Sequence, residues 1–324
     1  MKAVVLTKTG NPEVLTVSEV SMPSVKPGWV LIQVKAFGLN RSELMMRQYE
    51  GDAPYIQLPR VLGIECVGII ADVSDSHFAK GQKVVALMGG MGRSFDGSYA
   101  EYTLVPTKNV FSVETDMSWE QLAAIPETYF TAYGSLFDSV QLNPNDVLLV
   151  RGGTSSAGLA AIQLAKSIGA KVLATTRKEE KRQLLLITGA DDILIEDGTI
   201  GSQLKALYPQ GVTKILELIG AETLMESMNL LSKHGIVCVT GLLGKKATLD
   251  NFYPIKDIPS GVYLTGFVSN SPNQQIIDTL FNHIKQYNIQ PIIAQIFSLN
   301  QIVEAHALME SNTANGKIII VNNR

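Results

Sequence analysis

The chain reads as an α/β protein in two parts, a doubly wound parallel sheet and an irregular β-barrel. Three observations predict this. From Asp146 onward, short apolar, β-branched runs alternate with helical patterns, the order that builds a parallel sheet covered by helices. Before about Leu122 the runs are short, strand-like and broken by proline and glycine, as in a small barrel. The length, 324 residues, exceeds what one ordinary core accommodates.

In order, the first part offers strands over 3–6, 15–20, 30–36, 66–73 and 83–87, with Pro12, Pro23, Pro27-Gly28 and Lys80-Gly81 as turns. Residues 41–47, carrying Leu44, Met45 and Met46, read as a helical turn. Ser118 is placed to cap a helix that starts at Trp119, and 128–137 continues helical. The alternating part then predicts strands over 146–150, 171–176, 192–195, 214–218, 235–240 and 262–267. Helices are expected over 159–168, 178–186, 200–207, 222–231 and 274–287. From Gln290 a strand, a helix over 299–310 and a last strand over 317–321 are expected to rejoin the first part. The expected division is 1–122 with 292–324, and 123–291.

Composition narrows the function. The chain is 46% hydrophobic and 18% charged, as soluble globular proteins are, and its net charge of −3 comes without a basic tract. General attraction to nucleic acid or acidic membranes is therefore not expected. Cys66 and Cys238 are too few for a disulfide scaffold or a four-thiolate zinc site, and they suit a reducing compartment. No apolar core follows Lys2, and no stretch approaches the roughly 20 apolar residues of a membrane span, so a cytoplasmic protein is expected. His77, His234, His283 and His306 show no ligand spacing and are expected on the surface or in loops.

The chemistry concentrates after the strand over 146–150. There Gly152-Gly153-Thr154-Ser155-Ser156-Ala157-Gly158 leads into a helix, and a second strand follows, a unit of about 30 residues with the size and order of a dinucleotide-binding βαβ unit. Its N–H groups and helix dipole suit an anion. Written as G-x-G-x-x-G, the turn is Gly153, Ser155 and Gly158, and the middle serine either widens the turn or contributes its hydroxyl. An NAD-selective site needs a carboxylate at the end of the second strand. This chain has Thr175-Thr176-Arg177-Lys178 there, with Lys181 one helical turn on, which favours a 2′-phosphate and therefore NADPH.

Several short markers now add up: Gly63-Ile64-Glu65-Cys66-Val67-Gly68 with Gly81 and Val84 downstream, Gly97-Ser98-Tyr99-Ala100-Glu101-Tyr102, Thr131-Ala132-Tyr133 and the 152–158 turn. With the order of the parts, they resemble the medium-chain dehydrogenase/reductase superfamily over essentially the full length. That resemblance implies a GroES-like barrel domain beside a Rossmann domain. Zinc alcohol dehydrogenases of the superfamily carry Gly-His-Glu where this chain has Gly63-Ile64-Glu65, and cysteine where it has Asn40. Isoleucine has no donor atom and asparagine is a poor zinc ligand. The four-cysteine lobe is also missing, since 89–93 runs straight into Phe95-Asp96-Gly97-Ser98. No catalytic metal is expected.

The zinc-free group the chain resembles is the quinone oxidoreductases, which reduce quinones or the C=C bond of α,β-unsaturated carbonyls with NADPH. The resemblance implies that Asn40 lies near the nicotinamide and that Thr131 meets its carboxamide or ribose side. It also implies that Gly241, Leu242 and Leu243 hold the carboxamide through backbone. The group often has a tyrosine where this chain has Met45, so Tyr49 is taken as the proton donor, with Tyr55, Tyr129, Arg41 and Arg47 as substitutes. The implied substrate is a small hydrophobic quinone or enone, and the implied assembly is a homodimer joined through the edge strand over 262–267. Two other readings stand beside this: an enoyl-thioester reductase on the same fold, and a non-catalytic NADPH-binding protein.

Overall fold

The computed structural model describes residues 1–244 and 246–322. Contacts group them into two compact units, Met1–Glu127 with the segment from Asn270 onward, and Thr128–Ser269. In chain order the first elements are β1 (Lys2–Leu6), β2 (Leu15–Glu19), β3 (Trp29–Gly38), α1 (Arg41–Tyr49), β4 (Arg60–Val61) and β5 (Glu65–Val73). Next come β6 (Lys83–Leu87), β7 (Tyr102–Pro106), β8 (Val110–Ser112), α2 (Trp119–Ala123) and α3 (Pro126–Tyr133). The alternating part holds β9 (Val147–Arg151), α4 (Ser156–Ser167), β10 (Lys171–Thr176), α5 (Arg182–Thr188), β11 (Asp192–Ile195) and α6 (Ile200–Leu207). It continues with β12 (Val212–Glu217), α7 (Ala221–Asn229), β13 (Leu231–Val239), α8 (Pro254–Asp257) and β14 (Tyr263–Gly266). The last are α9 (Gln274–Gln286), β15 (Ile293–Ser298), α10 (Ile302–Glu310) and β16 (Lys317–Val321).

The first unit holds a three-stranded sheet, β2-β1-β4, and a seven-stranded one, β15-β16-β3-β5-β6-β8 with β7 also on β3. Its core is the inner face of these strands: Val4 and Leu6 of β1, Val30, Ile32 and Val34 of β3, and Ile318 and Ile320 of β16 are buried together. Burying an aliphatic side chain of this size contributes about 1.5–3 kcal/mol. All five residues of β16 are buried, and it lies antiparallel to β3 with Ile319 opposite Gly38. This pairing joins the tail to the strand that leads into α1.

The second unit is a six-stranded parallel sheet in the order β11-β10-β9-β12-β13-β14. Numbered from β9, that is 3-2-1-4-5-6, the doubly wound Rossmann order. The central β9 is Val-Leu-Leu-Val-Arg with four of its five residues buried, as a strand covered on both faces requires. The order reverses between β9 and β12, and such sheets bind ligands outside the strand ends at that point.

Several local details differ from the sequence expectation. Strands β7 and β8 pair with β3 and β6, although their short, polar-interrupted sequences gave no clear strand signal. Residues 270–291, α9 included, group with the first unit. Gln274, at the start of α9, bonds both backbone groups of Ser112 in β8, each at 3.0 Å. His306 corrects the expectation of surface histidines: it is completely buried in α10. Among the described residues no helix is long and apolar enough to cross a membrane.

Candidate active site

The glycine turn between β9 and α4 is held from below. Gly152 donates to the Thr175 hydroxyl at 3.0 Å and Gly153 to the Thr175 carbonyl at 3.1 Å, which presses the turn onto β10. A side chain on Gly153 would begin 2.9 Å from Ala174 Cβ, and one on Gly158 would begin 2.6 Å from the Gly152 carbonyl oxygen. Both positions need glycine because the helix and strand approach so closely. Ser155 is the cap of α4: its hydroxyl donates to the Gly152 carbonyl at 2.9 Å and accepts the Gly158 N–H at 3.1 Å. The middle position therefore contributes its hydroxyl to the turn itself; Thr154 precedes it, and Ser156 and Ala157 begin a twelve-residue helix.

Beside it, the end of β10 is cationic. Thr176 is buried, and its hydroxyl accepts the Lys178 N–H at 3.2 Å, turning the chain outward. Arg177 and Lys178 are exposed, and Lys181 closes the short turn that follows. Burial, and then the charges of Lys178 and Arg177, push the Lys181 ammonium below its usual range. Three cations stand together here; Glu179 is engaged by Arg182, and Glu180 lies 3.8 Å from Lys178 and partly offsets the repulsion at Lys181. An anion placed among them would relieve that repulsion.

Two further segments of the second unit were expected at the site. Gly241 follows β13, and a side chain there would begin 2.1 Å from the Leu218 carbonyl oxygen. The Gly241 N–H donates to Glu217 and the Leu243 N–H to Leu218, while Leu242 stands 43% exposed between them. In α3, the Thr131 carbonyl accepts the Ser135 hydroxyl at 2.7 Å, and Ser135 meets the Thr240 hydroxyl at 2.8 Å. Thr131 is thereby tied to the strand end that carries Gly241.

In the first unit, Asn40 caps α1 and sits in a buried polar cluster. Its backbone N–H donates to Glu43 at 2.7 Å, and its amide nitrogen donates to Glu65 at 2.8 Å. Its amide oxygen accepts from the Lys317 ammonium at 2.6 Å. Glu43 also accepts the Ile64 N–H at 2.8 Å and the Tyr99 hydroxyl at 3.0 Å, and Tyr99 meets His306 at 2.9 Å. Burial pushes Glu43 up to about 7, against the lowering effect of the Ile64 and Asn40 N–H groups. Burial and the Arg47 charge push His306 down to about 3. Ile64, where zinc relatives carry histidine, supplies only its backbone to this cluster.

The expected proton donors are dispersed. Tyr49 ends α1, nine residues long, so it lies about 13 Å along the helix axis from the Asn40 cap, and it is 76% exposed. Tyr55 is half exposed, while Tyr129 is buried with its hydroxyl donating to Gln163. Arg47 is completely buried against Glu310 and the Gly10 carbonyl, and Arg41 reaches Asn312. Three residues of the Asn40 cluster carried no expected role: Lys317, Glu43 and His306. Lys317 and His306 come from the far end of the chain, so only tertiary structure reveals them: Lys317 through strand pairing, His306 through the packing of α10. The spacing Asn40-x-x-Glu43 is a capping-box signature that could have identified Glu43.

Comparison with known proteins bears on both units. Residues 26–115 match the family profile described as alcohol dehydrogenase GroES-like domain, and residues 157–285 the one described as zinc-binding dehydrogenase. The quinone oxidoreductase of Homo sapiens is 31% identical, over 99% of this chain and 98% of the relative. That of Sus scrofa is 29% identical, over 99% and 98%. A crystal structure of an NAD-dependent alcohol dehydrogenase superposes with a TM-score of 0.87 at 27% identity, covering 99% of each chain. A mycobacterial structure complexed with NADPH also gives 0.87, at 25% identity, over 99% of this chain and 100% of the other. The Escherichia coli quinone oxidoreductase, at 23% identity and a TM-score of 0.87 over 99% and 100%, shares the fold.

Proposed function

Because the chain belongs to the medium-chain dehydrogenase/reductase superfamily, on its quinone oxidoreductase-like branch, we propose that it is an NADPH-dependent, zinc-independent reductase of quinones or of the C=C bond of α,β-unsaturated carbonyls. The observation that carries the cofactor choice is the set of cations Arg177, Lys178 and Lys181 after β10, where an NAD site has a carboxylate. The solved relatives are named with either cofactor, so the preference rests on this chain's own residues.

The residues fit the cofactor. The N-terminus of α4, set close to β10 by Gly153 and Gly158, would hold the diphosphate, and Arg177 with Lys181 and Thr176 would hold the 2′-phosphate. Backbone at Gly241, Leu242 and Leu243, together with Thr131, would hold the carboxamide side. When bound, NADPH supplies the hydride. The chain's own part is to fix the approach of the two carbons, to place dipoles near the oxygen that gains charge, and to deliver a proton. Asn40 is assigned to the first task and Tyr49 to the third. Metal is left out because Ile64 has no side-chain donor. The protein is read as cytoplasmic and as a homodimer. In support, β14 is the outer strand of its sheet, and Tyr263 in it and Val268 just after it are 55% and 73% exposed.

The test is oxidation of NADPH and of NADH, measured side by side across a panel of quinones, enals and enones. Faster turnover with NADPH on at least one acceptor is expected. A clear preference for NADH sinks the cationic-trio argument, and binding of NADPH without turnover of any acceptor leaves a binding protein.

A further inference from the structure

Asn40 forms a closed ring with two other groups. The Lys317 ammonium lies 2.8 Å from Glu65 Oε1 and 2.6 Å from Asn40 Oδ1, and Asn40 Nδ2 lies 2.8 Å from the same Glu65 oxygen. Lys317 and Glu65 are almost wholly buried, at 2% and 0% side-chain exposure. The second Glu65 oxygen accepts the Glu127 N–H at 2.7 Å, which anchors the carboxylate.

The fold brings Lys317 there by register. Ile319 of β16 faces Gly38 of β3, and the Leu39 N–H donates to the Ile318 carbonyl at 2.9 Å, so continuing the antiparallel ladder sets position 317 beside position 40. Gly38 leaves the space: a methyl group there would begin 2.2 Å from Lys317 Cε and 2.8 Å from Glu65 Oε1.

An asparagine amide has two ends of nearly equal shape, and its partners decide which faces where. Here the partners are unambiguous. An ammonium only donates and an ionised carboxylate only accepts, so a flipped amide would set donor against donor and acceptor against acceptor. Both Nδ2 hydrogens have acceptors, Glu65 and, at 3.3 Å, the Gly38 carbonyl. Lys317 takes one lone pair of Oδ1, which leaves the second.

We propose that Lys317 is the positioning residue that fixes the Asn40 amide, so that Asn40 enters the reaction as a hydrogen-bond acceptor through Oδ1. The proposal rests on the reading of Asn40 as a residue of the reaction. Lys317 acts through Asn40 and need not touch the substrate.

The experiment compares Asn40→Ala, Lys317→Met and the double variant by steady-state turnover of NADPH with a quinone, alongside thermal denaturation. Each single variant should lower kcat by on the order of 10-fold, approaching the 10²-fold loss that small misplacements cause, with KM for NADPH moving about twofold or less. The double variant should be no slower than Asn40→Ala alone, because both changes remove one shared interaction. Wild-type kcat in a folded Lys317→Met protein, with kcat lost in Asn40→Ala, overturns the clamp. Wild-type kcat in Asn40→Ala overturns the reading of Asn40 itself, and with it the proposal.

Should Lys317→Met fail to fold, the ammonium signal of Lys317 in a ¹⁵N spectrum carries the test. It should exchange slowly in the otherwise unaltered protein and move in Asn40→Ala. A signal that exchanges fast, or that Asn40→Ala leaves in place, overturns the clamp.

Discussion

The Ser155 hydroxyl accepts the Gly158 N–H at 3.1 Å and so closes the first turn of α4. Ser155→Ala removes that cap and should lower stability by about 1 kcal/mol, whereas Ser155→Gly should lower it by a few tenths. Urea denaturation of the three proteins checks the order. An alanine variant as stable as the parent would show that the cap contributes nothing.

Arg177→Ala and Lys181→Ala should each raise KM for NADPH while leaving KM for NADH nearly unchanged. Both side chains reach solvent, so about tenfold per residue, or 1.4 kcal/mol, is a reasonable scale for a charge-assisted contact. The NADPH effect should shrink as salt is raised from about 0.1 M toward 1 M, because exposed charges are screened. Parallel losses with both cofactors would remove the case for a 2′-phosphate site.

Arg151 is the buried hub of the second unit. It bonds Glu196 at 2.8 and 2.9 Å and Ser227 at 3.0 Å, and it also pairs with Glu226. Glu217, whose carboxylate holds the Ile219 and Gly220 N–H groups, lies close enough for the Arg151 charge to lower its pKa, although burial keeps it raised. Arg151→Met should cost about 3–5 kcal/mol, since it leaves carboxylates buried without a cation. Denaturant midpoints measure this, and a loss under about 1 kcal/mol would show that the acids relax into water.

Two buried groups that share Tyr99 respond oppositely to pH. Glu43 rises from 4.5 to about 7 in the folded protein, so its contribution is full below pH 4.5 and is lost as pH rises through 7. His306 falls from 6.5 to about 3, so its contribution is full above pH 6.5 and is lost as pH falls through 3. Between pH 4.5 and 6.5 the two slopes oppose each other, and below 4.5 only the histidine slope remains. Melting temperatures from pH 3 to 8 should therefore fall less steeply below pH 4.5 in His306→Gln than in the parent. Identical acid limbs would contradict this assignment.

Light scattering should find a homodimer, and Tyr263→Lys, which sets a charge on the outer strand β14, should shift it toward monomer. A parent protein that is monomeric at micromolar concentration would exclude that interface.

The parts that were readable in the sequence are those whose cause is local. The turn at 152–158, the helix behind it and the cations after β10 lie within 30 residues of one another, and periodicity with glycine spacing exposes them. The alternating strands implied the parallel sheet for the same reason. Lys317 and Glu65 could not be read this way, because they meet Asn40 only through strand pairing across 277 and 25 positions, and Tyr99 reaches Glu43 across 56. His306 was misplaced because an isolated histidine in a helix gives no sign of which face is buried. Strands β7 and β8 escaped because short, mixed sequences become strands only when a neighbour is available to pair with them.

The Lys317 clamp has a consequence for how the protein is made. Asn40 and Gly38 leave the ribosome early, whereas their ammonium partner arrives after the whole segment Thr128–Ser269 has been synthesised. Until then Glu65 lacks its cation, and β3 lacks the strand that pairs with Gly38. A nascent chain can complete the nucleotide-binding sheet while the Asn40 end is still unfinished. The contact that fixes the Asn40 amide is therefore later in synthesis than the sheet that follows Asn40 in the chain.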